Sequence, residues 1–577
     1  MTTTGDPEFD AWNPGLTSEI PARLMPLVTL YRPENSTVSY VEAQEAARFC
    51  GLKPHDMVAF TLDRLIVHEL LIRVTADLNA PDGPNYEDLG ISLRGIVARI
   101  FDTYVPPHKA ELERTFADLQ TEVRDRLALM LYRDLAPPKP EPEPSGGFFK
   151  GLFGTRKPAP TDDTPPELRA IEIWRAAART AEPGLDKACN EGLATIVAGI
   201  VGQKGRLLAD RDLVIRLAAH RVCNSFGSQR IGQRLAPIIA EACEAEGYRR
   251  LPYQIAPLVL NVKGASAAGK STIRPLQRAL AERLGVAWED FALVSPDYWR
   301  KYLLDYDSLG PDLKYAGMLT GQELEIIDKK LDGYMERKAQ RNQMPHLLID
   351  RFRFDSFASV ASQPADSRLL SRFGDTVYMF FIITHPADTV ERAWHRGIAT
   401  GRYKAVDDLL HHNVEAFTGM PQLFFTWAKK TEQTVHFEFL DNSIPLGQLP
   451  RTVAFGWNDR ITILDPDTLR NMNRYQHLNV AARRPEDVLL DPPEDGDDIL
   501  HDCIQQISQV TILDPATLTV AAQTENGVPV YDRGGVLAAL SVAPKGAPAP
   551  AGTAPPTIDY DTERLHTLGA WGPETPG

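Results

Sequence analysis

The sequence predicts an α/β protein built on a doubly wound parallel sheet, with helical N-terminal regions and a small C-terminal accessory region. Three observations lead to this prediction. Apolar segments typical of buried strands alternate with helical patterns between residues 257 and 440. A glycine-rich loop follows the first of these segments. Before them, residues 1–135 and 167–256 show mainly the recurrence of apolar residues that is typical of helices.

Five strands are expected in the alternating region: Leu258–Val262, Phe291–Ser295, His346–Asp350, Val377–Ile383 and Val435–Leu440. Because helical segments separate them, the strands should run parallel, with helices on both faces of the sheet. Ligands of such sheets bind beyond the carboxyl ends of the strands. The residues that follow each strand are therefore the candidates for chemistry.

The loop after the first strand matches the phosphate-binding pattern G-x-x-x-x-G-K-[ST], and we call residues 264–271 the P-loop. In this pattern backbone N–H groups and a helix N-terminus surround phosphate oxygens. Lys270 is expected to reach the β- and γ-phosphates, and the Ser271 hydroxyl to hold Mg²⁺. The sequence thus predicts ATP and Mg²⁺ as cofactors. The nucleotide-binding set is Gly264, Ala265, Ser266, Ala267, Ala268, Gly269, Lys270, Ser271 and Thr272.

Composition limits the functional classes. A chain of 577 residues exceeds what one hydrophobic core usually organises. The formal net charge of −15 argues against general nucleic-acid binding, which favours a basic face. Five scattered cysteines indicate a reducing compartment and neither a disulfide framework nor a zinc site. We find no signal peptide and no apolar run that approaches the ~20 residues of a membrane span, so a cytoplasmic protein is expected.

Six segments are predicted along the chain. They are a helical domain (1–135), a disordered linker (136–166), a helical region (167–256), the sheet domain (257–440), an accessory region (441–541) and a disordered tail (542–577). The linker contains the aromatic patch Phe148–Phe153, which either docks on a protein partner or membrane surface or folds back onto its own chain. The accessory region repeats Ile461–Leu469 as Val510–Leu518, through equivalent strand–turn elements or through coincidence.

Acidic residues after the second and third strands favour phosphoryl transfer. Asp297 follows the second strand, where a carboxylate can accept the proton of an attacking hydroxyl, although it could also cap the next helix. Asp350 ends the third strand and is a second candidate for Mg²⁺ or its bound waters. After it, Arg351 and Arg353 either meet an anionic substrate or pair with nearby carboxylates. The absence of an Asn-Lys-x-Asp guanine-reading motif after the P-loop counts against a GTPase.

Arginines near the fourth strand complete the candidate set. Arg392 and Arg396 lie in a predicted helix, and Arg402 follows Gly401. Cations at such positions can close over a transferring phosphate and stabilise its charge. The alternative is a solvated helix face, because arginine is common on exposed helices.

These residues together resemble the zeta-toxin-like P-loop kinases. The resemblance rests on the P-loop, Asp297-x-x-Arg300, the long helix Gln322 to Arg341 and the arginines around Gly401, and it covers roughly a third of the chain, Pro257 to about Leu440. It implies a P-loop NTPase-type fold and transfer of the γ-phosphate to a hydroxyl of a small nucleotide-type metabolite, of the UDP-sugar or NAD class.

By position, the resemblance makes Lys270 and Ser271 the phosphate and Mg²⁺ ligands and Asp297 the general base. Arg392 or Arg396, together with Arg402, would contact the γ-phosphate. Two features depart from the family. The turn Ile349-Asp350-Arg351-Phe352 replaces an expected Glu-Gly-Thr-like turn, and the helical N-terminal portion is large.

Two other functions compete with a small-molecule kinase. One is a nucleotide-dependent switch or partner-recruiting P-loop ATPase, in which Phe148–Phe153 would recruit a protein partner. The other is a polynucleotide 5′-kinase, which the acidic balance disfavours.

Overall fold

The computed structural model describes residues 9–85, 87–136, 164–351, 370–445, 447–491, 496, 498–546 and 554–572. The chain forms two compact units: Met1–Ala22, Leu71–Ala98 and Cys243–Gly577 in one, and Arg23–Leu70 and Arg99–Ala242 in the other. Their limits differ from the predicted boundaries at residues 135 and 256, because a segment of the N-terminal region packs with the sheet. The aromatic patch Phe148–Phe153 lies outside the described residues.

The helices are α1 (Tyr40–Cys50), α2 (Leu62–Asp77), α3 (Asp88–Arg99), α4 (Lys109–Asp134), α5 (Pro166–Thr180), α6 (Leu185–Lys204), α7 (Arg211–Val222), α8 (Ser228–Glu246), α9 (Arg274–Arg283), α10 (Arg300–Leu303), α11 (Ala316–Leu319), α12 (Gly321–Ala339), α13 (Pro386–Thr400), α14 (Val406–Ala428), α15 (Pro466–Arg474), α16 (Ile499–Gln506), α17 (Val536–Ala539) and α18 (Tyr560–Arg564). Among the described residues, none of these helices combines the length and apolar character needed to cross a bilayer.

The strands are β1 (Leu258–Lys263), β2 (Phe291–Val294), β3 (His346–Asp350), β4 (Thr376–Ile383), β5 (Thr434–Asp441), β6 (Arg451–Trp457), β7 (Arg460–Ile463), β8 (Gln509–Leu513), β9 (Val520–Glu525) and β10 (Val528–Asp532). They form one sheet in the order β10-β9-β8-β7-β6-β5-β4-β1-β3-β2. The α/β class is therefore confirmed, and each of the five predicted strands is present to within one residue at either end.

The first five strands form the parallel half of the sheet. The chain leaves β1 for β2 and β3 on one side and then continues to β4 and β5 on the other. The strand order thus changes direction at β1, and the backbone segments beyond β1 and its neighbours diverge there. In sheets of this type a ligand crevice opens at such a point, outside the carboxyl ends of the strands.

Buried aromatic side chains hold α14 against the parallel strands. Phe381 of β4 stacks on Phe439 of β5, with ring centroids 4.8 Å apart. Phe424 of α14 meets Phe439 edge to face at 5.1 Å. Burial of such rings is a large hydrophobic contribution, and it fixes the helix that lies beside the crevice.

Strands β6 to β10 extend the same sheet. β6 pairs antiparallel with β5, which would otherwise be an edge strand with unpaired backbone groups. Residues 441–541, predicted as an accessory region, therefore belong to the compact unit that contains β1 to β5.

The sequence repeat consists of two equivalent strand–turn elements that lie side by side. β7 and β8 pair in parallel with Ile461 opposite Val510 and Ile463 opposite Ile512, so the two copies are in register. After each strand an aspartate accepts a hydrogen bond from the backbone N–H three residues later: Asp465 from Thr468 at 2.9 Å, and Asp514 from Thr517 at 3.2 Å.

The prediction of a disordered tail is wrong for residues 554–572. The backbone N–H groups of Leu568 and Gly569 donate to the Glu438 carboxylate of β5, at 2.7 and 3.0 Å. Trp571 stacks on Phe455 of β6, with ring centroids 4.6 Å apart. Residues 547–553 are outside the described part of the chain. The Pro/Ala/Gly-rich composition concealed these few anchoring residues, each of which contacts the sheet.

Candidate active site

The P-loop makes a tight turn directly after β1. Ala267 and Gly269 have φ angles of +62° and +97°, in the left-handed region that side chains disfavour. A Cβ atom added to Gly264 would lie 3.1 Å from Cβ of Ile382, so the loop passes close to β4. A Cβ at Gly269 would overlap the side-chain amide of Asn442. The path of the loop therefore requires glycine at position 269, and at position 264 it leaves little room for a side chain.

Side chains from two neighbouring strands hold the middle of the loop. The Ala268 carbonyl accepts hydrogen bonds from Thr384 Oγ1 at 2.9 Å and from Asn442 Nδ2 at 2.7 Å. These residues directly follow β4 and β5. The loop is thus fixed to the carboxyl edge of the sheet, and the sequence alone did not identify either contact.

Lys270 folds back over the P-loop. Its Nζ donates to the carbonyls of Gly264 at 3.0 Å and Ala265 at 2.8 Å. Burial lowers the pKa of Lys270 to about 8, although the carboxylates of Asp350 and Asp297 act in the opposite direction. An anion in the loop would add negative charge and stabilise the ammonium form.

Ser271 and Asp350 meet where β1 and β3 end. Ser271 Oγ donates to Asp350 Oδ2 at 2.7 Å, and Arg274 Nη2 lies 3.7 Å from the same oxygen. Asp350 is opposite Val262 in the β1–β3 pairing. The two predicted Mg²⁺ ligands are therefore adjacent.

A hydroxyl and a carboxylate fit Mg²⁺ if phosphate oxygens and waters complete its octahedron. Within the described residues, no group of three or more histidine, cysteine, aspartate or glutamate side chains is arranged to hold a metal ion. Residues Ser271 and Asp350 thus suit an ion that is bound together with a phosphorylated ligand.

Asp297 lies in the 3₁₀ turn Pro296–Trp299 after β2, between two arginines. Its Oδ1 accepts from Arg300 Nε at 2.9 Å, and its Oδ2 lies 2.6 Å from Arg402 Nη2. Burial by itself would raise the pKa of Asp297, but Arg402, Arg300 and Arg396 hold that pKa well below its ordinary value. Helix α10 has no side-chain capping bond, so the alternative role of Asp297 as a helix cap is not observed.

The three predicted phosphate-binding arginines separate into two groups. Arg396 and Arg402 line a pocket together with Asp297. Arg392 instead donates from Nη2 to the carbonyls of Asn442 at 2.7 Å and Ile444 at 3.0 Å. Arg392 precedes Arg396 by one helical turn, about 6 Å along α13, and reaches the chain after β5 instead of the pocket. Of the two alternatives Arg392 and Arg396, the structure brings only Arg396 into the pocket.

The pocket has a volume of about 560 Å³. Six lining residues are the functional candidates: Ser266, Asp297, Arg300, Asp350, Arg396 and Arg402. Helices α12 and α14 contribute carboxylates to the remaining wall: Glu325, Asp328, Asp408 and Glu415. The cations and carboxylates enclose a volume that suits part of a nucleotide or a small metabolite.

Two further cations line the pocket: Lys404, which the sequence analysis did not single out, and Arg351, for which it left two roles open. Lys404 Nζ lies 3.3 Å from Asp408 Oδ2 and contacts the ring of His412, and burial lowers the pKa of Lys404 to about 8. In the sequence, the only sign of a role for Lys404 was its position two residues after Arg402. Arg351 pairs with Asp328 at 3.3 Å and Asp332 at 2.7 Å, so the carboxylate-pairing alternative is the one observed for Arg351. Arg353 is outside the described residues.

Arg300 is anchored by groups on both sides. Besides Asp297, its Nη1 donates to the Gly317 carbonyl at 2.6 Å and to Thr320 Oγ1 at 2.9 Å. Thr320 is fully buried. The segment before α12 therefore positions Arg300, and a serine or threonine twenty residues away gives no recognisable signal in a sequence.

We expect Arg392→Gln to leave phosphoryl transfer within about threefold of the wild-type rate, because Arg392 does not reach the pocket. Arg396→Gln should reduce the rate by tenfold or more, about 1.4 kcal/mol of barrier or greater. Steady-state rates of label transfer from γ-labelled ATP would compare the two variants. Equal losses in both would show that α13 acts as a whole and that our separation of the arginines is incorrect.

Comparisons of the chain with protein-family models, curated proteins and solved structures found no match. Function must therefore be inferred from the chemistry of the pocket itself. Its central feature is a P-loop with a paired serine and aspartate on one side and a carboxylate between arginines on the other.

Proposed function

We propose that this protein is a zeta-toxin-like P-loop kinase that transfers the γ-phosphate of Mg·ATP to a hydroxyl of a small metabolite. The observation that carries the proposal is that Asp297, Asp350, Arg396, Arg402 and Ser266 of the P-loop line one pocket. A phosphate loop alone would equally suit an ATPase. A carboxylate that shares the pocket with the loop provides what transfer to a hydroxyl requires.

On the nucleotide side, the P-loop amides and Lys270 would bind the β- and γ-phosphates. Ser271 and Asp350 would hold Mg²⁺, which neutralises charge on the phosphate oxygens. Lys270 already lies along the loop, at 2.8 Å from the Ala265 carbonyl, so it needs to exchange carbonyl partners for phosphate oxygens. The fixed path of the loop means that little backbone reorganisation accompanies this exchange.

On the acceptor side, Asp297 would accept the proton of the hydroxyl as its oxygen forms a bond to the γ-phosphorus. The bond from that phosphorus to the β–γ bridging oxygen breaks, and ADP leaves with the electron pair. Arg396 and Arg402 would stabilise the negative charge on the transferred group. These three residues lie in the same pocket, so no distant group has to be recruited.

A nucleotide-type acceptor, of the UDP-sugar or NAD class, is part of the proposal. Lys404 and Arg300 in the pocket supply cations for a phosphorylated acceptor. A pocket of about 560 Å³ is large enough for a small metabolite. The alternative of a nucleotide-dependent switch stays a prediction, because Phe148–Phe153 is outside the described residues.

The test is incubation of the purified full-length protein with γ-labelled ATP, Mg²⁺ and a bacterial metabolite extract. We expect a labelled small molecule with the wild-type protein and none with Lys270→Ala. Lys329→Ala is the matched control, because Lys329 is an exposed lysine on α12 that pairs with Glu325. It should label the same molecule at the wild-type rate.

Two outcomes would contradict the proposal. One is equal labelling by Lys270→Ala, which would assign the activity to a contaminant. The other is tight ATP binding without any labelled small molecule, even after addition of UDP-N-acetylglucosamine and NAD. That result would favour the nucleotide-dependent switch.

A further inference from the structure

Both oxygens of the Asp297 carboxylate are engaged by arginines. Oδ1 bonds to Arg300 at 2.9 Å, and Oδ2 lies 2.6 Å from Arg402. The side chain is nevertheless 44% exposed, so it faces the open pocket. An acceptor hydroxyl that approaches Asp297 must displace one of these arginines before it can donate its proton.

The two arginines are held differently. Arg300 is fixed by the Gly317 carbonyl and by Thr320 as well as by Asp297. Arg402 lies in the short connection between α13 and α14, directly after Gly401, which ends α13 with a φ of +75°. Arg300 begins helix α10, whereas Arg402, although buried, lies outside any helix or strand, so movement of Arg402 breaks no helical hydrogen bond. Arg402 is therefore the partner that can leave.

We propose that the γ-phosphate of a bound nucleotide draws Arg402 away from Asp297, so that the acceptor can engage the base only after ATP has bound. This inference rests on the proposed function, since it gives Arg402 a second role at the same site. Without nucleotide the Asp297–Arg402 ion pair keeps the base blocked. The enzyme then binds its substrates in a compulsory order, nucleotide first.

Electrostatics favours the movement of Arg402 from Asp297 to the γ-phosphate. A γ-phosphate offers more negative charge than a single carboxylate, and its oxygens accept the paired N–H groups of a guanidinium. The P-loop would hold that phosphate in the pocket that Arg402 already lines. Loss of Arg402 removes one of the cations that lower the pKa of Asp297, so the carboxylate becomes a stronger base when phosphate is present.

The coupling can be measured without knowledge of the acceptor. Isothermal titration calorimetry would give the affinities of the full-length protein for Mg·AMP-PNP and Mg·ADP. We expect Asp297→Asn to tighten Mg·AMP-PNP binding by about fivefold or more, because Arg402 is no longer held. Mg·ADP, which lacks the γ-phosphate, should change by less than about twofold.

A double-mutant cycle separates this inference from simple charge repulsion between Asp297 and the nucleotide. In the Arg402→Gln background, Asp297→Asn should no longer tighten Mg·AMP-PNP binding. The matched control is Arg392→Gln, an arginine on α13 outside the pocket. In that background Asp297→Asn should tighten binding as it does in the wild-type protein.

Three outcomes would overturn the inference. Tightening that persists in the Arg402→Gln background would show that Asp297 merely repels the nucleotide. An unchanged affinity in Asp297→Asn would show that the ion pair does not compete with the γ-phosphate. Failure of the wild-type protein to bind either nucleotide would remove the proposed function together with the inference, whereas the first two results leave the kinase assignment intact.

Discussion

Replacement of Asp297 by Asn should reduce phosphoryl transfer by about 10²- to 10⁴-fold, the range that general-base catalysis usually contributes. Asparagine keeps the size of the side chain and can still accept a bond from Arg300, but it cannot take the proton of the acceptor hydroxyl. The arginines keep Asp297 ionised throughout the physiological range, so the wild-type protein always presents a carboxylate. The measurement is the single-turnover rate of label transfer from γ-labelled ATP.

Nucleotide binding identifies the cause of that loss. The Asp297→Asn protein should still bind Mg·AMP-PNP, and more tightly than the wild type does, so a slow variant with intact binding has lost chemistry. Asp307→Asn is the control, because Asp307 is an exposed carboxylate in the chain that follows α10 and should leave the rate unchanged. Transfer at the wild-type rate by Asp297→Asn would exclude the carboxylate as the base.

The parallel half of the sheet was predictable because its signals are local. Strands buried on both faces are continuous apolar runs, and a strand such as β1 has six buried residues in succession. The P-loop adds glycines at positions where its path leaves no room for a side chain. Fold class, strand positions and the tight turn of the loop after β1 therefore followed from short stretches of sequence.

The extension of the sheet was not predictable, because pairing between strands is a non-local property. β6 follows β5 in a pattern that an independent small domain would also show. Only the register of β5 with β6 places the later strands in the same sheet. The same holds for the C-terminal segment. Trp571 and Leu568 stand among turn-forming residues, and only their contacts with β5 and β6 show that they anchor this segment.

Two predicted residues at strand ends, Asp297 and Asp350, line the pocket, whereas of the two predicted arginines on α13 only Arg396 does. Asp297 and Asp350 were found because the ends of parallel strands converge at one edge. Arg392 and Arg396 could not be distinguished, because residues four apart share a face of α13 and the sequence does not show which helical turn lies beside the pocket. Thr320 and Asn442 act through other residues, and such positioning roles have no pattern along the chain.

Glu438 is a buried titratable group whose charge state is expected to influence stability. It lies fully buried in β5 and accepts hydrogen bonds from Thr452 Oγ1 and from the backbone N–H groups of Leu568 and Gly569. Burial raises the pKa of Glu438 to about 7, although these three hydrogen bonds favour the charged form. The carboxyl group thus joins the C-terminal segment to the middle of the sheet.

The groups around Glu438 come from four elements. Tyr378 of β4, His436 of β5, Arg283 of α9 and His566 of the C-terminal segment contribute the titratable or charged side chains. Burial lowers the pKa of both histidines and raises that of the tyrosine. In the folded protein burial therefore favours the neutral form of both histidines, and Glu438 is the group in this cluster with a pKa of about 7.

The contribution of Glu438 to the free energy of unfolding should accordingly fall as pH rises from about 4.5 to 7. The pKa of Glu438 is higher in the folded than in the unfolded protein, so the folded state binds more protons in this interval and loses stability as they are removed. A difference of about 2.5 pH units corresponds to about 3 kcal/mol. Glu438→Gln, which mimics the protonated form, should remove this part of the pH dependence.

The two proteins should differ in a defined direction when they are compared by urea unfolding at pH 5, 6, 7 and 8. We expect similar stabilities at pH 5 and a growing advantage for Glu438→Gln toward pH 8, because only the wild-type protein must then keep a buried charge. The difference in fluorescence between the wild-type protein and Trp571→Phe would follow Trp571 alone during unfolding. This difference would report whether the C-terminal segment detaches in the same transition. If the free energies of unfolding of wild type and Glu438→Gln changed with pH in parallel, ionisation of Glu438 would not reduce stability. Its hydrogen bonds to the C-terminal segment would then fully compensate its burial.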